Sequence, residues 1–391
     1  MAHPFDQLEL STLQQRKSMK WQRFDDDILP LWVADMDFPT APAIANALAE
    51  RAHSGNLGYP MGYLSGGEPG VIEAITARQQ TKHQWSVAAD DVWLINGIIP
   101  GLYLSCLACS SPGDEVIVQS PIYPPFMMAI NNTGRVPRYN PLRWDGEQWS
   151  IDFEQLETLV TPATRLLMLC NPHNPTGRVF TRDELEQLAD FALRHRLWIV
   201  SDELHSDLVY REAKHIPIAS LGDEVAARTM TLFGPTKTFN IAGLKMGIAV
   251  SSNHDLLGRY KHHATGLVSP PNVMAQTAIL AAYTEAEAWL GETLTYLDTN
   301  RRVVVDFIRT RLPQVRVAMP EGTYLAWLDF TALNIDNLYD TLEQDCKLAL
   351  NAGPSYGPGG EGFARLNFAT ATHIVEEALE RLEHGLRPHL D

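Results

Sequence analysis

The sequence is poor in cysteine, with four in 391 residues. That is too few for a disulfide framework in a chain of this length. Cys106 and Cys109 form a C-x-x-C inside "GLYLSCLACSS". Its flanks are apolar and no second pair exists to complete a zinc site, so the two read as small helix-packing residues and no metal site is expected. Cys170 and Cys346 stand alone. Long hydrophobic runs are also missing. No apolar stretch reaches the length of about 18 residues that a membrane helix needs. The start, "MAHPFDQLELSTLQQRK", has no apolar signal core, so the cytoplasm is the expected location and no membrane partner is expected. Positive charge is scarce, 31 Lys and Arg against 47 Asp and Glu, for a formal net charge of −16. That balance argues against nucleic acid or an anionic membrane as the main partner. There is no internal repeat and no low-complexity tract.

What is present is an ordinary globular composition, 45% hydrophobic and 20% charged, in a chain long enough for two domains and a large core. Several short apolar runs each end in polar or glycine-rich residues. "DVWLI" leads into "NGIIPG", "EVIVQ" into "SPIYPP" and "RLLMLC" into "NPHNPTG". "LWIVS" leads into "DELHSD" and "TMTLF" into "GPTK". Such runs fit strands buried on both faces of a parallel sheet. Helical segments lie between several of them. The clearest is "TRDELEQLADFALRHR", where Thr181 and Glu184 have capping-box spacing. The alternation implies an α/β layered domain, in which ligands sit beyond the carboxyl ends of the strands. Asn96, Gly97, Tyr123, Asn174, Asp202 and Lys237 are therefore expected along one edge.

From about residue 285 the pattern changes. "EAEAWLGETLTYLDTNRRVVVDFIRTRL" reads as one long helix. The strand-like segments "TYLAWLDF" and "FARLNFAT" follow, then a final helix, "HIVEEALERLEHGL". The expected division is a large domain over 41–284 and a smaller α+β domain over 285–391. Residues 1–40 join the smaller one. "YGPGGEG", 356–362, reads as a mobile loop.

Lys237 follows a buried strand closely, and lysine is among the residues least often buried unless paired. A lysine amine forms a Schiff base with an aldehyde, and pyridoxal phosphate is the common cofactor that uses this. That cofactor needs an acid for its ring nitrogen, and Asp202 at a strand end can serve. Tyr123 can stack on the ring. The Asn174 side chain can donate to the phenolic oxygen. The phosphate can take the backbone N–H groups of Gly97, Ile98 and Ile99 at a helix start, with Lys245 as cation. Each residue has a plainer reading: Asp202 as a helix cap, Asn174 as a turn builder, Lys237 as a solvated loop charge. The ordered set within one α/β pattern favours the cofactor.

"NPHNPTG", "SDELHSDL" and "TKTFNIAGLKMG" together resemble the pyridoxal-phosphate enzymes of the aspartate aminotransferase fold, fold type I, the class I/II aminotransferases. The likeness runs over nearly the whole chain. "LPLWVADMDFPTAP", with "DELHSDL" and "KTFNIAGLK", is similar to the MalY/PatB group of cystathionine β-lyases and cysteine-S-conjugate β-lyases. The resemblance implies a large domain with a mostly parallel sheet between helices, and a smaller α+β domain. It implies that Lys237 is the Schiff-base lysine and Asp202 the partner of the ring nitrogen. Asn174 is then the donor to the phenolic oxygen, and Tyr123 the stacking ring; both also border the substrate. It implies that Arg365 in "FARLNF" grips the substrate α-carboxylate as a bidentate pair. Tyr59 in "LGYPMGY" would reach the phosphate of a neighbouring subunit, which makes a homodimer. Trp32 to Asp37 would fold over the substrate, with Trp32 as part cover and part substrate wall.

Three departures accompany the resemblance. Gly234 stands where a hydroxyl residue is frequent, so Thr236 is expected to take over part of a phosphate contact. Lys245 replaces a frequent arginine, turning a fork into a point charge. His205 stands where aminotransferases commonly carry tyrosine, and reads either as a packed histidine or as a group that tunes the cofactor. The activity implied is carbon–sulfur β-elimination on L-cystathionine or a cysteine S-conjugate. An aminotransferase, and a regulatory binding protein that keeps the fold, are the alternatives. The intact set of Lys237, Asp202, Asn174, Tyr123 and Arg365 argues against loss of catalysis.

Overall fold

The computed structural model describes residues 3–60 and 67–390. Its main sheet has seven strands: β1 (Val92–Ile95), β2 (Glu115–Ser120), β3 (Val136–Pro141), β4 (Thr164–Cys170), β5 (Trp198–Asp202), β6 (Thr229–Phe233) and β7 (Gly247–Val250). Their order across the sheet is β1-β7-β6-β5-β4-β2-β3. β7 runs antiparallel to both of its neighbours, and the other pairings are parallel. Successive side chains on a strand point to opposite faces. Val116, Val118, Leu166 and Met168 pack into one apolar cluster, while Ile117, Leu167 and Leu169 pack into another. Both faces are buried, which is why these strands read as unbroken apolar runs.

Helix α1 (Ile98–Cys109) covers the first face and carries the buried free thiols Cys106 and Cys109. Helix α2 (Pro124–Asn132) lies on the same side. Helix α3 (Arg182–Arg194) covers the second face through Leu185 and Leu188, and its start has the capping box between Thr181 and Glu184 that the spacing predicts. Among the described residues no helix is long and apolar enough to cross a membrane.

Toward the C-terminus, α4 (Val273–Glu285) is followed by α5 (Glu287–Arg311). The long helix expected from residue 285 thus starts at Glu287, because the Ala286 backbone (φ −101°, ψ 13°) breaks it from α4. A second, antiparallel sheet is built from β8 (Arg316–Val317), β9 (Leu325–Asp329), β10 (Asn351–Ala352) and β11 (Phe363–Asn367), in the order β8-β9-β11-β10. Helix α6 (Thr372–Leu386) packs on α5. The N-terminal segment is tied to this region. Leu29 and Pro30 pair in parallel with Leu348 and Ala349, and the Asn367 N–H donates to the Leu31 carbonyl at 2.9 Å. The Asn367 side-chain amide donates to the carbonyls of Val33 and Asp35, both at 2.7 Å. Lys20 and Asp37 close the segment as a buried ion pair at 2.7 Å.

Candidate active site

A cavity of about 470 Å³ opens beyond the carboxyl ends of the parallel strands. Asn96 and Gly97 follow β1, Tyr123 follows β2, Asn174 follows β4, Asp202 ends β5 and Lys237 follows β6; all six line the cavity. Ile98, Ile99, His205, Thr236 and Lys245 line it too. A hollow of about 500 Å³ at the opposite end of the sheet is bordered by Trp85, Asp91 and Ser251 and has no lysine, arginine or histidine on its walls. The chemistry-bearing groups belong to the first.

The Lys237 amine donates to the Ala34 carbonyl at 2.5 Å, so the N-terminal segment forms part of its surroundings. Burial, more than any charge, lowers the amine from 10.5 to about 8; the Asp35 carboxylate opposes the shift and Arg365 adds to it. A half-buried amine that loses its proton at about pH 8 can act as a base, which an unperturbed lysine in a solvated loop would not do.

Asp202 is buried, and its Oδ1 accepts the Leu204 N–H at 3.1 Å. The residues after it form turns, so it does not cap a helix. Burial pushes its carboxyl up to about 7, opposed by that hydrogen bond and reinforced by the charge of Glu203. No cationic side chain pairs with it among the described residues.

Arg365 is the complementary case. It is 2% exposed and makes no ion pair among the described residues. Its Nη1 donates to Asn174 Oδ1 at 2.8 Å and its Nη2 to the Trp32 carbonyl at 2.9 Å. Its Nε is buried without a partner. A cation held by neutral acceptors alone is a ready receptor for a carboxylate. Asn174 joins it to the cavity wall.

Helix α1 starts at the cavity. Gly97 has φ +103°, a left-handed conformation that favours glycine, and the first N–H groups of a helix have no partner inside it. The Lys245 side chain is exposed beside this end and the Thr236 side chain is buried at it.

Trp32 is placed differently from expectation. Its indole lies in a separate hollow with Phe24 and Arg23, whose guanidinium carbon sits 4.8 Å from the ring, and its Nε1 donates to the Lys20 carbonyl at 3.4 Å. Only its backbone carbonyl serves the site, through Arg365. Sequence gives a residue's address but not which way an indole turns on an irregular segment. Tyr59 is 88% exposed and does not line the cavity of its own chain; the residues 61–63 of its motif lie outside the described residues. Sequence reasoning did not single out Tyr324, whose hydroxyl donates at 3.1 Å to the Ala34 carbonyl that Lys237 uses. A lone tyrosine opening an apolar strand carried no signal for this.

The family model for class I and II aminotransferases matches residues 26–382. The chain belongs to that family. It is 38% identical over 382 residues to the cystathionine β-lyase PatB of Bacillus subtilis, covering 95% of this chain and 97% of the relative. It is 33% identical to MalY of Escherichia coli, covering 92% of each. Cystalysin from Treponema denticola, whose solved structure contains a pyridoxal 5′-phosphate cofactor, superposes with a TM-score of 0.90 at 32% identity, over 96% of this chain and 97% of that one. For a class I and II chain, the departures have local physical settings. A Cβ at Gly234 would meet the Met246 carbonyl oxygen at 3.1 Å and Gly247 Cα at 3.4 Å, so the close pass of β6 and β7 disfavours a hydroxyl side chain there. Lys245 sits at φ +55°, exposed at the cavity rim. His205 is buried at the cavity with Nδ1 unpartnered; burial, then the charges of Lys237 and Arg365, lower it to about 3, so the ring is neutral at physiological pH.

Proposed function

We propose that this chain is a pyridoxal-phosphate-dependent carbon–sulfur β-lyase that cleaves L-cystathionine or a cysteine S-conjugate to a thiol, pyruvate and ammonia. The observation that carries the reading is one cavity lined by the Asp202 carboxylate and the half-buried Lys237 amine, with the unpaired Arg365 guanidinium bonded to Asn174 on its wall. The full-length likeness to PatB, a cystathionine β-lyase, supports the choice of reaction.

These residues suit the cofactor. A cationic ring nitrogen would relieve the buried Asp202 carboxylate, and a phosphate would meet the α1 N-terminus and Lys245. The bound cofactor supplies an aldehyde for an amine and a ring that withdraws electrons. Everything else comes from the chain. Asp202 keeps its negative charge against a cation. Asn174 and Tyr123 orient the ring and the substrate. Arg365 holds the α-carboxylate. Lys237, neutral above about pH 8, takes the proton from the substrate α-carbon. The C–S bond then breaks with its electron pair leaving on sulfur, and the thiolate departs. Hydrolysis of the remaining three-carbon fragment gives pyruvate and ammonia.

Elimination needs no second substrate, whereas transamination stops after one equivalent until a keto acid arrives. The protein with L-cystathionine alone is therefore expected to release many equivalents of pyruvate per site. Product that halts near one equivalent and resumes on adding a keto acid would transfer the assignment to an aminotransferase.

The reading includes a cytoplasmic homodimer. Four buried free thiols suit a reducing compartment. The exposed Tyr59 is the group offered to the phosphate end of a second copy's cavity, and a site shared in this way requires a closed pair. Sedimentation at assay concentration is expected to give a dimer. A fully active monomer would remove Tyr59 from the site.

A further inference from the structure

Arg365 has no ion-pair partner among the described residues; two hydrogen bonds hold its edges, and a further contact can steady its guanidinium. The candidate is Tyr356, the first residue of the glycine-rich loop. Tyr356 is 1% exposed, and its ring centroid lies 5.3 Å from the guanidinium carbon of Arg365. The ring is itself held on its other sides. Trp327, which faces Arg365 across the β9–β11 ladder, meets it edge-on at 5.1 Å. Asn351, which faces Arg365 across the β10–β11 ladder, donates from Nδ2 to the Tyr356 hydroxyl at 3.1 Å. The backbone is anchored as well. The Tyr356 carbonyl accepts the N–H of Ile122, the residue before Tyr123, at 2.8 Å. Gly357 follows at φ +85°, where a Cβ would come within 2.8 Å of Met127 Sδ. The loop is thereby pinned against α2.

We infer that Tyr356 is a positioning residue: its ring holds the Arg365 guanidinium in the plane that a substrate carboxylate meets, and its backbone ties that plane to the segment carrying Tyr123. The inference rests on the proposed role of Arg365 as the carboxylate anchor. An arginine ring contact of this kind is attractive, and stronger when water is excluded. Bidentate capture depends on the orientation of the fork. Hydrogen bonds through Nη1 and Nη2 fix two edges of the guanidinium, and its central carbon sits over the Tyr356 ring.

The test is steady-state kinetics of the holoenzyme on L-cystathionine for Tyr356→Leu, Tyr356→Phe and Arg365→Lys, with thermal midpoints measured alongside. Tyr356→Leu is expected to raise KM about tenfold while kcat stays within about twofold, because the ring contact is lost and the reacting centre is untouched. Tyr356→Phe keeps the ring and is expected to stay near the wild-type KM. Should Tyr356→Leu not fold, Tyr356→Met replaces it, since an unbranched thioether fills irregular space. A KM unchanged in whichever of these ring-free variants folds, with Arg365→Lys raised, overturns the inference and leaves the anchor standing. So does a Tyr356→Phe as impaired as Tyr356→Leu, or a fall in kcat alone. An unchanged KM in Arg365→Lys overturns the anchor and the inference together.

Discussion

Lys237→Ala is expected to lower turnover by roughly 10⁴-fold or more, since the covalent tether and the base are removed in one change. The borohydride-reducible cofactor adduct should disappear with it. Retention of that adduct in the variant would show that another amine holds the cofactor. The unmodified protein carries a related signature in pH. Capture of an aldehyde needs the neutral amine, and burial lowers Lys237 from 10.5 to about 8. Capture by the cofactor-free protein, followed by absorbance in a stopped flow, should therefore quicken about tenfold per pH unit below about 8 and level off above it. A rise that continues past pH 10 would belong to an unperturbed lysine.

Asp202→Asn should cost about 10²–10³-fold in kcat while the reducible adduct still forms, because the neutral amide keeps the shape but not the charge that stabilises a cationic ring. A variant retaining more than a tenth of wild-type kcat would end the assigned role. The stability consequence has the opposite sign. The Asp202 pKa rises from 3.8 to about 7 on folding, so the fold favours the protonated form. The cofactor-free protein then loses stability as pH climbs through that window, and at pH 8 the full cost is present. Asp202→Asn should accordingly raise the melting temperature of the cofactor-free protein at pH 8 and change it little at pH 4. A lower melting temperature at pH 8 would contradict the proposed desolvation.

The sheet was legible because each buried strand is an apolar run that stops where chemistry begins. β1, β2, β4, β5 and β6 end next to Asn96, Tyr123, Asn174, Asp202 and Lys237, and those residues do meet at one cavity. β7 was not legible. Its four residues, Gly247–Val250, are apolar like the others, and nothing local says that the strand runs antiparallel between β1 and β6. β3 escaped for a different reason. It is a sheet-edge strand with a proline as its second residue and another as its last, and its pattern is correspondingly polar. Contacts between distant segments were the other gap. Sequence placed Trp32 near the substrate through its ring, and the structure uses its carbonyl instead. Tyr324 and Tyr356 matter through what they touch from far along the chain, and a single tyrosine has no periodicity to reveal that.

The site draws on three stretches of chain: Ala34, the sheet edge, and Arg365, which Asn174 joins to the cavity wall. A ribosome delivers them in that order. Lys237 and the carbonyl that holds it are made first, and Arg365, the proposed carboxylate anchor, is made last. A chain that stopped short of Arg365 would have the amine without the proposed anchor.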